Sequence, residues 1–247
     1  MSIKYRFKFS DNTEEEIELK LSSQDLHLTN ELPDQLPEWT KLDYHQCSHC
    51  PLNKEENPDC PLSTNLIKIV QLFERVVSYD EIDVEVITPE RTISQRTTAQ
   101  RGLSPIMGLV VATSGCPYTS FFKPMAHFHL PFAGEEETLF RAVSTYLIAQ
   151  YFIAKDGGTP DLELEGLKKI YDDIRKVNKS IAERLRAASQ ADASTNAIIL
   201  LDMFAKAAPY IIEESLEEFR YLFEPYFSMV EKNNKSDNSS SSILSDH

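Results

Sequence analysis

The sequence predicts an α+β protein: N-terminal β-hairpins carrying a Cys-rich metal knuckle, packed on a C-terminal antiparallel helical bundle. Three observations carry that prediction. Residues 3–9, 17–21 and 82–88 alternate apolar and polar side chains, the period of a half-buried strand. Cys47, Cys50 and Cys60 crowd into one Pro-containing stretch. From Glu135 onward, apolar residues recur every three or four positions over long runs, the period of a helix with one buried face.

Taken in order, Ile3, Tyr5, Phe7 and Phe9 share one strand face, opposite Lys4, Arg6 and Lys8. Asp11-Asn12 offers a turn, and Ile17, Leu19 and Leu21 resume the alternation, which completes a hairpin signal. A loop with Pro33 and Pro37 leads to the knuckle at 45–62. Ser63 or Thr64 is a candidate cap for a helix reaching about Val77, with Leu66, Ile69, Val70 and Phe73 as its stripe. Ile82–Thr88 and Arg91–Thr98 form a second hairpin around Pro89-Glu90. Ser104-Pro105 is a cap and first-turn pair for a short helix through Val111. The segment after it, to Phe132, is aromatic, Pro-rich and irregular, so its backbone must find partners in packing or in a site.

Glu135, Glu136 and Glu137 place negative charge at the start of the next helix, where the macrodipole favours it. That helix is apolar enough to be buried on most sides, and Gly157-Gly158 ends it. Leu167, Ile174, Ile181 and Ala188 then recur at seven-residue spacing, interleaved with Ile170, Val177 and Leu185, a narrow seam with wet flanks. Glu165/Lys169 and Asp172/Lys176 are candidate i, i+4 ion pairs on that helix. Asp192 is a candidate cap for a third helix, which Pro209 should kink or restart. The expected organisation is an α+β part at 1–134, a helical bundle at 135–232 and a Ser/Asn/Asp-rich disordered tail at 233–247.

The net charge of −14 argues against nucleic acid as a partner and against an anionic membrane surface, since both recruit cationic side chains. No secretory signal opens the sequence, and no run of ~18 uninterrupted apolar residues exists to span a bilayer. The expected location is cytoplasmic, where thiols stay reduced. A protein partner is compatible with this composition.

In that setting Cys47-x-x-Cys50 with Cys60 reads as a metal site, and Cys116 supplies a fourth thiolate. His45 and His49 are the alternative fourth ligands. Two residues between thiols allow a tight turn that aims both sulfurs at one ion, and Pro51, Pro58 and Pro61 stiffen the loop. Zinc is the leading metal. Cys50, Cys60 and Cys116 each precede proline, a step also found beside iron–sulfur ligands, so an iron–sulfur cluster is the alternative. Four unrelated buried thiols remain the plain reading.

His127 and His129 flank Phe128 and would point to one side of an extended backbone, as a metal pair or an acid–base site. Cys116 with one of these histidines is a candidate nucleophile–base pair. Arg91, Arg96 and Arg101 are candidates for an anion site or for ordinary pairing with acidic neighbours. Asn178, Arg184, Asp192, Asn196 and Asp202 are polar residues on otherwise apolar helices; Asp192 and Asn196 lie one helical turn apart, the first accountable by capping and the second by exposure. No Gly-rich phosphate loop, Gly-x-Ser-x-Gly or His-Glu-x-x-His occurs.

The run Gly102-Leu-Ser104 to Gly108-Leu, Ala112-Thr-Ser-Gly-Cys-Pro117, Pro124–Phe132 and the helix at 136–152, taken with the knuckle, resembles an uncharacterised bacterial family, a domain of unknown function. The resemblance spans most of residues 3–230 and implies a bacterial cytosolic origin, but no activity or catalytic residue. The expected function is therefore a metal-binding protein of interaction or regulatory role, with zinc as structural staple. An iron–sulfur redox or sensor protein, or an enzyme near Cys116, His127 and His129, are the alternatives.

Overall fold

A computed structural model describes residues 1–241. Strands β1 (Ser2–Lys8), β2 (Glu14–Lys20), β3 (Glu81–Ile87) and β4 (Thr92–Thr98) form one antiparallel sheet in the order β2-β1-β3-β4. The alternation in the sequence sets its two faces. Ile3, Tyr5, Phe7, Ile17, Leu19, Ile82, Val84 and Val86 are all buried on one side. On the other, Arg6 bonds Glu85 at 2.7 Å and Lys4 pairs with Glu16 at 3.1 Å, so β1 is tied to both neighbours by charge as well as by backbone. Asn12 turns the first hairpin in a left-handed conformation (φ 66°), which asparagine tolerates.

Two helices cover the buried face. Helix α1 runs Pro61–Leu72, so it begins before Ser63, the expected cap; Cys60 is its N-cap and Pro61 its first residue. Helix α2 runs Ala99–Thr113, following β4 directly, and Pro105 lies inside it rather than in its first turn. The reason is close packing on the sheet. A Cβ on Gly102 would stand 2.8 Å from Ile82 Cδ1 and 2.9 Å from Val84 Cγ2, so only glycine lets the helix rest there.

The irregular segment after α2 is a 3-10 helix at Pro117–Phe122 leading into the short helix α3 (Lys123–His127). Helix α4 (Glu135–Lys155) starts at Gly134, where the Glu137 carboxylate accepts the Gly134 N–H at 2.8 Å. Contrary to expectation it is buried along one side only, through Leu139, Ala142, Val143, Tyr146 and Gln150; Ile148, Tyr151 and Phe152 are exposed. Helix α5 (Glu165–Ala188) buries its seam at Leu167, Ile174, Val177, Ile181 and Leu185. Its ion pairs form mainly at i, i+3, between Glu165 and Lys168 (2.9 Å) and between Asp173 and Lys176 (2.8 Å).

Helix α6 (Ala193–Phe219) passes through Pro209 without restarting. Asp192 stands immediately before it: its carbonyl accepts the Asn196 N–H at 2.8 Å and its carboxylate the Asn196 side-chain amide at 2.8 Å. The same carboxylate accepts the Ser78 N–H at 2.8 Å and the Ser78 hydroxyl at 3.0 Å, tying the helix start to the loop before β3. The stretch Ala193–Ile212 is long and apolar enough, by length and composition, to cross a bilayer, with mean hydropathy 1.3 and 33% of it buried. Asp202 and Lys206 interrupt it.

By internal contacts the chain divides after Pro209, and the 134/135 junction lies inside the first unit. The second unit begins at Tyr210 and holds the end of α6, a 3-10 turn at Arg220–Leu222 and helix α7 (Glu224–Ser241). Within it the Arg220 guanidinium lies 5.6 Å from the Phe227 ring centre. Helix α7 covers the first part of the segment from Asn233 expected to be disordered; 242–247 lie outside the described residues.

Candidate functional site

The Cys47–Cys60 segment is a loop closed at its neck. Leu42 N–H donates to Pro58 O at 3.0 Å and Cys60 N–H to Thr40 O at 2.7 Å, while Lys41 pairs with Asp59 at 3.1 Å. Inside it, Cys50 N–H donates to Cys47 O at 3.0 Å, the tight turn that two intervening residues permit. Gln46 holds the loop's inner edge through its amide bond to Leu52 O at 3.1 Å.

Cys60 and Cys116 occupy equivalent local positions. Each is the N-cap of a helical segment with proline next, α1 in one case and the 3-10 helix at Pro117–Phe122 in the other. Proline suits a first helical position because no N–H is needed there. Gly115, at φ +87°, turns the chain out of α2 so that Cys116 can enter the new helix. That left-handed turn favours glycine.

Cys116, remote in sequence from the other three, lies within electrostatic reach of Cys47, Cys50 and Cys60. Burial, first, pushes the Cys116 thiol up to about 12; an N–H from Tyr118 opposes that, and like charge on Cys60, Cys47 and Cys50 adds to it. The Cys47 thiol is also raised, chiefly by burial, with the Ser180 side chain and Arg184 working the other way and Cys60 and Cys50 adding like charge. All four cysteines are free and half-buried. Among the described residues no three His, Cys, Asp or Glu side chains are already arranged to hold a metal ion.

Arg184, visible in the sequence only as a polar residue on an apolar helix, is the residue whose role the sequence did not reveal. It is 2% exposed. Its Nη1 donates to Trp39 O at 2.8 Å and Lys41 O at 2.7 Å, and its Nη2 to Leu42 O at 2.9 Å. No carboxylate pairs with it among the described residues, so a buried guanidinium rests on carbonyls alone with the Cys47 thiol among its neighbours. The signal was present in the seam: Arg184 falls seven residues after Val177 and three after Ile181, both buried.

The other candidates separate. His45 Nδ1 faces Glu183 at 3.2 Å. The His49 ring packs on Tyr118, 4.0 Å between centres, with Nε2 3.9 Å from Asp173 and neither ring nitrogen hydrogen-bonded. Cys116 thus feels the other three thiols, while these imidazoles face Glu183 and Asp173 on α5. His127 ends α3 and is exposed. His129 bonds the Tyr5 hydroxyl at 2.5 Å, and burial, with Arg141 adding to it, lowers its pKa to about 4. The helical turn at His127 therefore replaces the extended backbone that would have aimed both histidines to one side. A thiol held near 12 is a poor nucleophile at neutral pH, and the charged neighbours of Cys116 are thiols, not an imidazole base. Arg96 pairs across the sheet with Glu81 at 2.7 Å, the ordinary role for such arginines.

No curated protein and no solved structure matches this chain. Residues 3–224 match the family described as a domain of unknown function (DUF6901), and the chain belongs to that family.

Proposed function

We propose that this protein is a metal-binding protein of interaction or regulatory role, in which Cys47, Cys50, Cys60 and Cys116 hold one zinc ion as a structural staple. The observation that supports the reading is that Cys47 and Cys116 each feel the charge of the other cysteines at a distance, with the buried, carboxylate-free Arg184 guanidinium near Cys47. Four neutral thiols would leave the Arg184 charge without a counter-ion in the interior, a costly arrangement. Four thiolates around a divalent cation carry two net negative charges, which Arg184 offsets in part. Zinc bound there would supply folding free energy on the order of 10–16 kcal/mol, against about 2–4 kcal/mol for a disulfide.

The chain's own contribution is to position and to desolvate. The Cys47–Cys50 turn and the two helix starts set the backbone at all four cysteines, and the Tyr118 N–H and Ser180 side chain favour thiolate at Cys116 and Cys47. Helix starts favour anions as well. The proline after Cys60 and Cys116 is accounted for by those starts, which removes the sequence reason for preferring an iron–sulfur cluster at those two positions.

Anaerobic purification followed by elemental analysis tests the reading. One zinc per chain in colourless protein, lost in both Cys47→Ala and Cys60→Ala together with cooperative melting, is expected. Iron with visible absorbance would replace zinc by a cluster. Metal-free protein whose Cys116 alkylates rapidly at neutral pH would overturn both in favour of an enzyme.

A further inference from the structure

A second feature of the first unit is independent of the thiols: a cavity of about 670 Å³ bounded by α2, α3, the start of α4, α5 and α6. Its walls are mainly apolar, with Leu109, Phe122, Met125, Leu130, Leu201 and Phe204 among them. Its polar groups gather at Arg141. Burial lowers the Arg141 pKa, and its charge bears on both His129 and Tyr171.

Three observations point to a ligand. Arg141 Nη2 alone carries its protein hydrogen bonds, to Met125 O at 2.7 Å and Phe128 O at 2.9 Å, and no carboxylate forms an ion pair with it among the described residues. Its Nε and Nη1 N–H groups form no hydrogen bond among the described residues and are available as charged donors to an anion. Asn178 and Tyr171, 3% and 2% exposed, line the same cavity from one face of α5 and form no hydrogen bond among the described residues. Buried polar groups ordinarily have partners. Finally, the lining holds Arg101 and Arg141 against one acidic residue, Glu135, in a chain of net charge −14.

We infer that this cavity binds an amphipathic monocarboxylate, with its anion at Arg141 and its apolar body along α2 and α6. At ~30 Å³ per water-sized group, 670 Å³ admits roughly twenty non-hydrogen atoms. A fatty acid of medium to long chain fits within that volume and carries the single charge. His129 is neutral at pH 7 and Arg101 is exposed, so Arg141 is the sequestered cation that meets the carboxylate.

The test uses the full-length protein as purified, with dodecanoate as probe and dodecanol as the uncharged control, read by titration calorimetry. Dodecanoate is expected to bind at least ~10-fold more tightly than dodecanol, and Arg141→Gln to remove that difference. Gly108→Leu fills the cavity from α2, where an added Cβ meets Leu201 at 3.8 Å without clash, and is expected to abolish binding of both. Equal affinity for acid and alcohol, no binding of dodecanoate, or unchanged binding in Gly108→Leu would each overturn the proposal. Because Arg141 also supports the Met125 and Phe128 carbonyls, the acid–alcohol comparison and Gly108→Leu decide the matter should Arg141→Gln not fold.

Discussion

Replacing Arg184 by methionine keeps a long side chain in the same channel and removes five N–H donors and the charge. The carbonyls of Trp39, Lys41 and Leu42 then lose their donors at 2.8, 2.7 and 2.9 Å. A buried acceptor left unpaired costs about 1–3 kcal/mol. Allowing for the apolar contact that methionine restores, the loss is ~3–5 kcal/mol, a large part of a typical domain stability of ~5–15 kcal/mol. Urea unfolding followed by circular dichroism measures it, and zinc release to a chelating dye measures the second effect, faster loss of metal once the thiolates lose their nearby cation. Arg184→Lys keeps the charge without the planar fork, so it should lose stability but hold zinc longer than the methionine variant. A methionine variant within about 0.5 kcal/mol of wild type, with unchanged zinc release, would refute the charge-balance argument.

Gly102→Ala forces a Cβ against Ile82 and Val84 and should cost about 1–3 kcal/mol by overpacking, read as a lower urea midpoint. Asp192→Ala removes both bonds to Ser78 and should cost ~1–3 kcal/mol; an unchanged midpoint would show that this tie is unimportant. His129 is held at about 4 when folded against the ordinary histidine value of 6.5, so the unfolded chain binds more protons between those values. Its contribution, up to ~3 kcal/mol, is complete above pH 6.5 and is lost as pH falls toward 4. His129→Gln should therefore flatten the stability–pH curve over that window.

The sheet was legible because strand alternation is a local property: Ile3, Tyr5 and Phe7 had to share a face, and they do. Helix starts were less so. Ser63 and Ser104 are better capping residues than Cys60 and Thr98, yet α1 and α2 begin at Pro61 and Ala99, because neck contacts and the glycine–sheet contact outweigh a side-chain cap. Helix α4 looked buried all round since composition reports apolarity and not which neighbours arrive. Among the candidate ligands, the Cys47/Cys50/Cys60 spacing was visible, but the approach of Cys116 depends on tertiary folding. Arg184 was overlooked because a cation on an apolar seam resembles a surface residue until its carbonyl partners, some 140 positions away, are known.

The most direct measurement is zinc-edge X-ray absorption on protein purified without added metal. Four sulfur scatterers at ~2.3 Å, falling to three in Cys116→Ala, are predicted. A first shell dominated by nitrogen or oxygen, or one unaltered by that substitution, would contradict the four-thiolate centre.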